Sequence, residues 1–128
     1  MPTGRGLRIA VGVAFACAIG GGEALAQPRS QFSGKQFSGV AAYYSKGYRG
    51  ATARGDRYDP SKFTAAHRTL PFGTRLRVTD KRTGRSVTVV VNDRGPFTKG
   101  RVLDLSLAAA RQLHMIDRGL ARVTASIE

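Results

Sequence analysis

The 128-residue chain contains no tryptophan, one cysteine and two histidines, with eight carboxylates set against 21 lysines and arginines. Each shortage removes a class of chemistry. A lone cysteine, Cys17, can form neither an internal disulfide nor a thiolate cage, so the fold must rest on packing. His67 and His114 lack the spacing of a metal-binding histidine pair. Neither common glycine-rich phosphate motif occurs, nor does a Gly-x-Ser-x-Gly elbow, which argues against nucleotide-dependent and serine-hydrolase chemistry. No cofactor or metal is expected. Long hydrophobic runs are also scarce. Ile9 to Ile19 is the main one, shorter than the ~20 residues that span a bilayer.

That run instead forms part of an export signal. Arg5 and Arg8 precede it, and Ala24-Leu25-Ala26 is a small-x-small cleavage pattern, so residues 1–26 read as a signal peptide with Gln27 as the first mature residue. Cys17 lies within the apolar run rather than after it, which disfavours lipidation. A periplasmic or wall-associated protein without a transmembrane segment is expected. Losing Arg5, Arg8 and Glu23 lowers the formal net charge of +13 by one. Such a balance suits polyanions in general. The arginines are scattered along the chain, and an exported protein meets anionic wall and membrane surfaces first, so nucleic acid is not the expected partner.

Residues 27–38 repeat Gln-Phe-Ser-Gly and carry little to pack, which predicts a flexible tether. Residues 39–128 then form one domain. A strand is predicted over Gly39–Ser45, followed by a glycine-containing loop (Gly47, Gly50, Gly55) and a single helical turn opened at Asp59–Ser61. Alternating apolar residues predict strands at Arg75–Thr79 and Ser86–Val91, joined as a hairpin across Thr83-Gly84. Further strands are predicted at Arg101–Leu105 and Gly119–Ile127. Between them Ser106 caps a helix over Leu107–Met115. So small a mainly β unit closes most economically into a barrel, which removes exposed edges.

Asp93 stands where a strand gives way to Arg94-Gly95-Pro96-Phe97. It fits a turn-forming carboxylate or a general acid/base, and spacing alone favours the turn. His67, among Ala65, Ala66 and Leu70, fits a buried neutral histidine or a catalytic one. Asp56, in a glycine-containing loop, fits a solvated turn or a ligand contact. Asp104 suits pairing with an arginine or the helix start, and His114 suits a surface or helix-end position. Tyr43, Tyr44, Tyr58 and Phe97 fit either core packing or sugar stacking. With no convincing nucleophile, carboxylate-driven cleavage of a glycosidic bond is the leading chemistry.

Taken in order, Gly39-Val-Ala-Ala-Tyr-Tyr44, Thr52-Ala-x-Gly-Asp56-x-Tyr-Asp59, Thr64-Ala-Ala-His67-x-Thr-Leu-Pro-Phe-Gly-Thr74, Val91-Asn-Asp-Arg-Gly-Pro-Phe97 and Arg101-Val-Leu-Asp-Leu-Ser106 resemble the rare lipoprotein A (RlpA-like) family. The resemblance spans essentially the whole mature domain. It implies a six-stranded double-psi β-barrel with one or two short helices. It also implies endolytic lytic transglycosylase activity on peptidoglycan, at the septum and on strands stripped of stem peptides. Asp93 then matches the family's acid/base and His67 its essential histidine. Asp56 falls where the family usually has glutamate, one methylene longer. Arg94, Tyr44, Thr64 and Phe97 are the expected substrate contacts. Longer members carry a C-terminal peptidoglycan-binding repeat, for which no sequence is found before Glu128.

In the mechanism so implied, Asp93 protonates the oxygen between N-acetylmuramic acid and N-acetylglucosamine, then takes the C6 hydroxyl proton as a 1,6-anhydro ring closes. An acid in this role needs a raised pKa, which a partly apolar cleft supplies. The chief alternative is a non-catalytic, expansin-like wall-binding module. Hydrolysis by Asp56 and Asp93 as an inverting pair, and nucleic-acid binding, rank below it. A monomer is expected.

Overall fold

The computed structural model describes residues 34–128; the expected signal peptide, Cys17 and residues 27–33 of the expected tether lie outside them. Six strands and one α-helix form among the described residues: β1 (Gln36–Tyr43), β2 (Thr64–Ala66), β3 (Arg75–Asp80), β4 (Ser86–Asp93), β5 (Arg101–Leu105), α1 (Leu107–Gln112) and β6 (Ala121–Ile127). They close a barrel in the order β1-β5-β2-β4-β3-β6. β1–β5 and β2–β4 are parallel pairs, and the other four contacts are antiparallel. This is the double-psi β-barrel that the resemblance implied.

Period-two patterning builds the interior. Leu76 and Val78 of β3, Val87, Val89 and Val91 of β4, Leu103 and Leu105 of β5, and Val123, Ala125 and Ile127 of β6 all point into one core. The alternate residues Arg75, Arg77 and Arg122 are exposed. Small residues set how closely strands approach. A Cβ at Gly39 would lie 2.5 Å from Val102 Cγ1, so β1 needs glycine where it packs on β5.

Two parallel pairs slip by one residue. Val40 pairs with Arg101 and Ala41 with Leu103, so Val102 is the extra residue of a bulge. Ala65 pairs with Val91 and Ala66 with Asp93, which makes Asn92 the extra residue on β4. Bulges bend a strand and re-aim its side chains, commonly beside functional sites.

Several boundaries differ from expectation. β1 begins at Gln36, so the expected tether ends inside a strand: Gln36, Phe37 and Ser38 pair with Ser126, Ala125 and Thr124 of β6. β2 is a strand where only a motif was read. The helix stops at Gln112, and His114 takes a left-handed φ of 56° in the following turn. Ser106 caps that helix, its Oγ accepting from Ala109 N at 3.3 Å. Asp59–Lys62 closes one hydrogen-bonded turn rather than helix. β3 runs one residue past the expected Thr79 to Asp80, which is fully buried and paired with Arg118.

Candidate active site

Asp93 ends β4, and its carboxylate is held at three points. Oδ1 accepts from the backbone N–H groups of Ala53 (2.7 Å) and Arg94 (2.8 Å). Oδ2 accepts from the Tyr44 hydroxyl. The turn that presents it is shaped by Gly95, whose φ of 121° favours glycine. Burial, then the hydrogen bond and charge of Asp93, hold the Tyr44 phenol well above its usual range, so this hydroxyl keeps its proton.

Tyr44 is itself anchored. Its ring stacks on Tyr58 at 4.3 Å and 14°. Tyr58 is buried, and its hydroxyl accepts from Leu107 N at the start of α1. Of the expected aromatic contacts, Tyr58 is therefore a core residue and Tyr43 ties to Ile116 O at 2.6 Å. Tyr44 holds the carboxylate instead of presenting a free stacking face, while Phe97 is 79% exposed.

His67 follows β2 and joins Asp93 through the backbone, its N–H donating to Asp93 O at 3.1 Å. Its Nδ1 accepts from Thr69 N and Leu70 N, each at 3.1 Å, which leaves the proton on Nε2. Nothing among the described residues bonds to that Nε2. Partial burial, then the charges of Arg94 and Arg68, push the imidazole below its ordinary value of 6.5, so it is neutral at neutral pH. The Phe37 ring meets it edge-on at 5.1 Å.

Arg94 does not reach Asp93 with its guanidinium. Nη1 donates to His67 O at 3.2 Å, and the head lies 4.1 Å from the centre of the Phe72 ring. Arg68, not singled out from sequence, bridges the same region by donating to the carbonyls of Pro96, Thr98 and Arg101.

Asp56 lies in the loop whose Ala53 N–H reaches Asp93. Its carboxylate pairs with Arg54 at 2.9 Å and accepts from Thr52 Oγ1 at 2.5 Å. Those two donors, Arg54 first, hold it well below the usual carboxylate range, and it stays ionised. Thr64 faces a cavity beside this loop. Asp104 pairs with Arg101 at 2.5 Å, in line with a structural role.

Asp93, His67 and the loop bearing Asp56 thus meet at one rim of the barrel. A family model described as lytic transglycolase matches residues 36–125. The chain belongs to this lytic transglycolase family. Among curated relatives, a probable endolytic peptidoglycan transglycosylase RlpA from Nostoc sp. is 59% identical over 90 residues, covering 68% of this chain and 24% of the relative. The endolytic peptidoglycan transglycosylase RlpA of Pasteurella multocida is 45% identical over 98 residues, covering 76% of this chain and 33% of the relative. The chain therefore spans about a quarter to a third of the relatives it matches. Solved structures share the barrel. A Streptomyces papain inhibitor superposes with a TM-score of 0.61 at 28% identity, over 74% of this chain and 96% of its own. An expansin from Clavibacter michiganensis gives 0.58 at 25%, over 73% and 50%.

Within the family frame, the residues not found from sequence are the Ala53 N–H, Arg68, Asn92 and the holding role of Tyr44. A backbone donor leaves no sequence signal. Tyr44 and Arg68 act through partners far away in the chain, and Asn92 is placed by the register of β2 on β4.

Proposed function

We infer that the chain is an exported peptidoglycan lytic transglycosylase, cleaving between N-acetylmuramic acid and N-acetylglucosamine with formation of 1,6-anhydro ends. The observation that carries this reading is the Asp93 carboxylate, fixed at three points beside a neutral His67 in a lytic transglycolase barrel. Residues 1–26 would direct export to the compartment that holds the wall.

Oδ1 accepts from two amides and Oδ2 from one hydroxyl, so the remaining lone pair of Oδ2 is the one that exchanges protons. Asp93 gives a proton to the bridging oxygen as the bond to C1 of the muramyl sugar breaks. The cationic centre at C1 faces ionised Asp56 on the same rim. Asp93 then removes the C6 hydroxyl proton, and O6 closes on C1. The acid is regenerated and no water is consumed. His67 donates through Nε2–H to the sugar, and Tyr44 keeps Oδ2 oriented. Exposed Phe97 offers an apolar face to a neighbouring ring. The expansin shares only the barrel as support for a purely binding role.

The test uses amidase-treated sacculi and mass spectrometry of released sugars. Anhydro-muramyl ends are expected from the unmodified chain and absent from Asp93→Asn and His67→Ala. Glycan binding without release of sugars overturns the enzymatic reading in favour of a binding module. Reducing ends point to hydrolysis instead.

A further inference from the structure

Beside the Asp56 loop lies a cavity of about 300 Å³, walled in part by Asp56, Arg57, Tyr58, Lys62, Thr64 and Asn92. Two independent observations set it apart from an ordinary surface dip. The first is Asn92, which is 4% exposed and whose Oδ1 has no hydrogen-bond partner among the described residues. An amide oxygen buried without a donor is a net cost to folding, and most native structures avoid it. Asn92 is also the extra residue of the β4 bulge, so the strand departs from regular pairing at this side chain.

The second observation is the charge on the wall. Both acids already have donors: Asp56 pairs with Arg54 and accepts from Thr52, and Asp59 Oδ1 accepts from the N–H and hydroxyl of Ser61 at 2.9 and 2.7 Å. Arg57 and Lys62 are exposed, and neither forms an ion pair among the described residues. Arg57 donates only to the Arg49 carbonyl, at 3.3 Å. The nearby Asp59 charge faces Lys62 without contact. Among the described residues the cavity therefore offers one acceptor lacking a donor and two cations that form no ion pair.

The loop beside this cavity also serves the reacting carboxylate. Arg54 N–H donates to Asn92 O at 3.2 Å, while Ala53 N–H donates to Asp93 Oδ1. A group bound against Asn92 is thereby held one residue along β4 from Asp93.

We propose that this cavity is the subsite for the muramyl unit of the glycan, taking its amide N–H on Asn92 Oδ1 and a carboxylate on Arg57 and Lys62. The inference rests on the glycan reading above and deepens it. The two sugars of the strand both carry an N-acetyl N–H, but a carboxylate belongs to the muramyl unit or to a peptide on it. Recognising both groups together sets the register, so that the muramyl side of the bond falls at Asp93.

The test measures equilibrium binding of the full chain to three glycan preparations: amidase-treated strands with free lactyl carboxylates, peptide-bearing strands, and amidase-treated strands whose carboxylates have been reduced to alcohols. Reduction is expected to weaken binding by about tenfold, the scale of one charge-assisted contact. Arg57→Ala/Lys62→Ala should bind unreduced strands about tenfold more weakly and no longer respond to reduction. Arg75→Ala/Arg77→Ala, which removes the same charge from the outer face of β3, should change little. Preference for amidase-treated strands assigns the lactyl carboxylate, and preference for peptide-bearing strands assigns a peptide carboxylate. The proposal is overturned if the cavity variant still discriminates reduced from unreduced glycan, or if the β3 variant loses as much. A chain that binds with this pattern yet yields no anhydro ends retires the catalytic reading and leaves the cavity assignment standing. A chain that binds no glycan retires both.

Discussion

Among the described residues the Tyr44 hydroxyl is the one side-chain hydrogen-bond donor to Asp93, and it comes from a tyrosine pinned by stacking and by burial. Tyr44→Phe keeps the stack and removes the donor, so Oδ2 loses its orientation while the barrel stays intact. Release of anhydro-muramyl sugars should fall by roughly 100-fold, the scale of a misplaced catalytic group. The unfolding free energy should change by only about 1 kcal/mol, the usual worth of one hydrogen bond. His67 provides a second residue-scale outcome. Its folded value lies below the ordinary 6.5, so in acid the unfolded chain takes up this proton first. Stability from this group is complete above 6.5 and is lost as pH falls through the folded value. Protonation also turns Nδ1 from acceptor to donor against the Thr69 and Leu70 N–H groups. His67→Gln should therefore show a flatter decline of unfolding free energy below pH 6.5 than the unmodified chain, measured by denaturant titration across pH. Equal slopes would remove this account of the imidazole.

At the scale of elements, β3 is fastened to the segment before β6 by Asp80 and Arg118. Asp80 is fully buried and Arg118 is 25% exposed on its side chain. Burial pushes the Asp80 carboxyl up, but Arg118 and the Arg82 N–H outweigh it and leave the group below 3.8. Arg118→Ala strands that charge and should lower stability by about 3 kcal/mol, the low end for breaking a buried pair because Arg118 is partly solvated. Adding Asp80→Asn should recover much of the loss, read as the shift in urea midpoint. The contribution is present above 3.8 and fades as pH falls through the folded value. The same scale shows what the chain discloses by itself. β3 and β4 were legible because valines alternate with arginines and threonines. β2 was not, since Thr64–Ala66 is three residues long and exists through pairing with β4 and β5. Asp93, His67 and Asp56 could be named from their ordered motifs, yet the Tyr44–Asp93 contact joins residues 49 apart. The Asn92 bulge depends on register between two strands, which no local pattern encodes. Where the Arg94 head group goes was equally hidden, since its turn toward Phe72 depends on a residue 22 positions away.

Across the whole molecule, the formal charge of +13 favours polyanionic surfaces. Arg75, Arg77 and Arg122 stand on the barrel exterior, so attraction to the anionic wall of the proposed function would be long-ranged and open to screening. Raising salt from about 0.05 to about 0.5 M should weaken binding to intact sacculi by at least tenfold as the Debye length contracts. Turnover at saturating glycan should change far less, because the Asp93 cradle is made of short hydrogen bonds. Sacculus pull-down and anhydro-sugar release, measured on the same samples, separate the two effects.

The strand order carries a consequence for how the molecule comes into being. Of the neighbours in β1-β5-β2-β4-β3-β6, β3 and β4 alone are consecutive in sequence. The hairpin between them can form early, whereas β1 must wait for β5 and β6, whose residues lie some sixty to ninety positions away. Contacts so distant delay the reward for closing loops and put such topologies in the millisecond-to-second range of folding times. The barrel therefore stays open until both of these distant partners are available, and the rim that carries Asp93 and His67 is completed only when the ring of strands shuts.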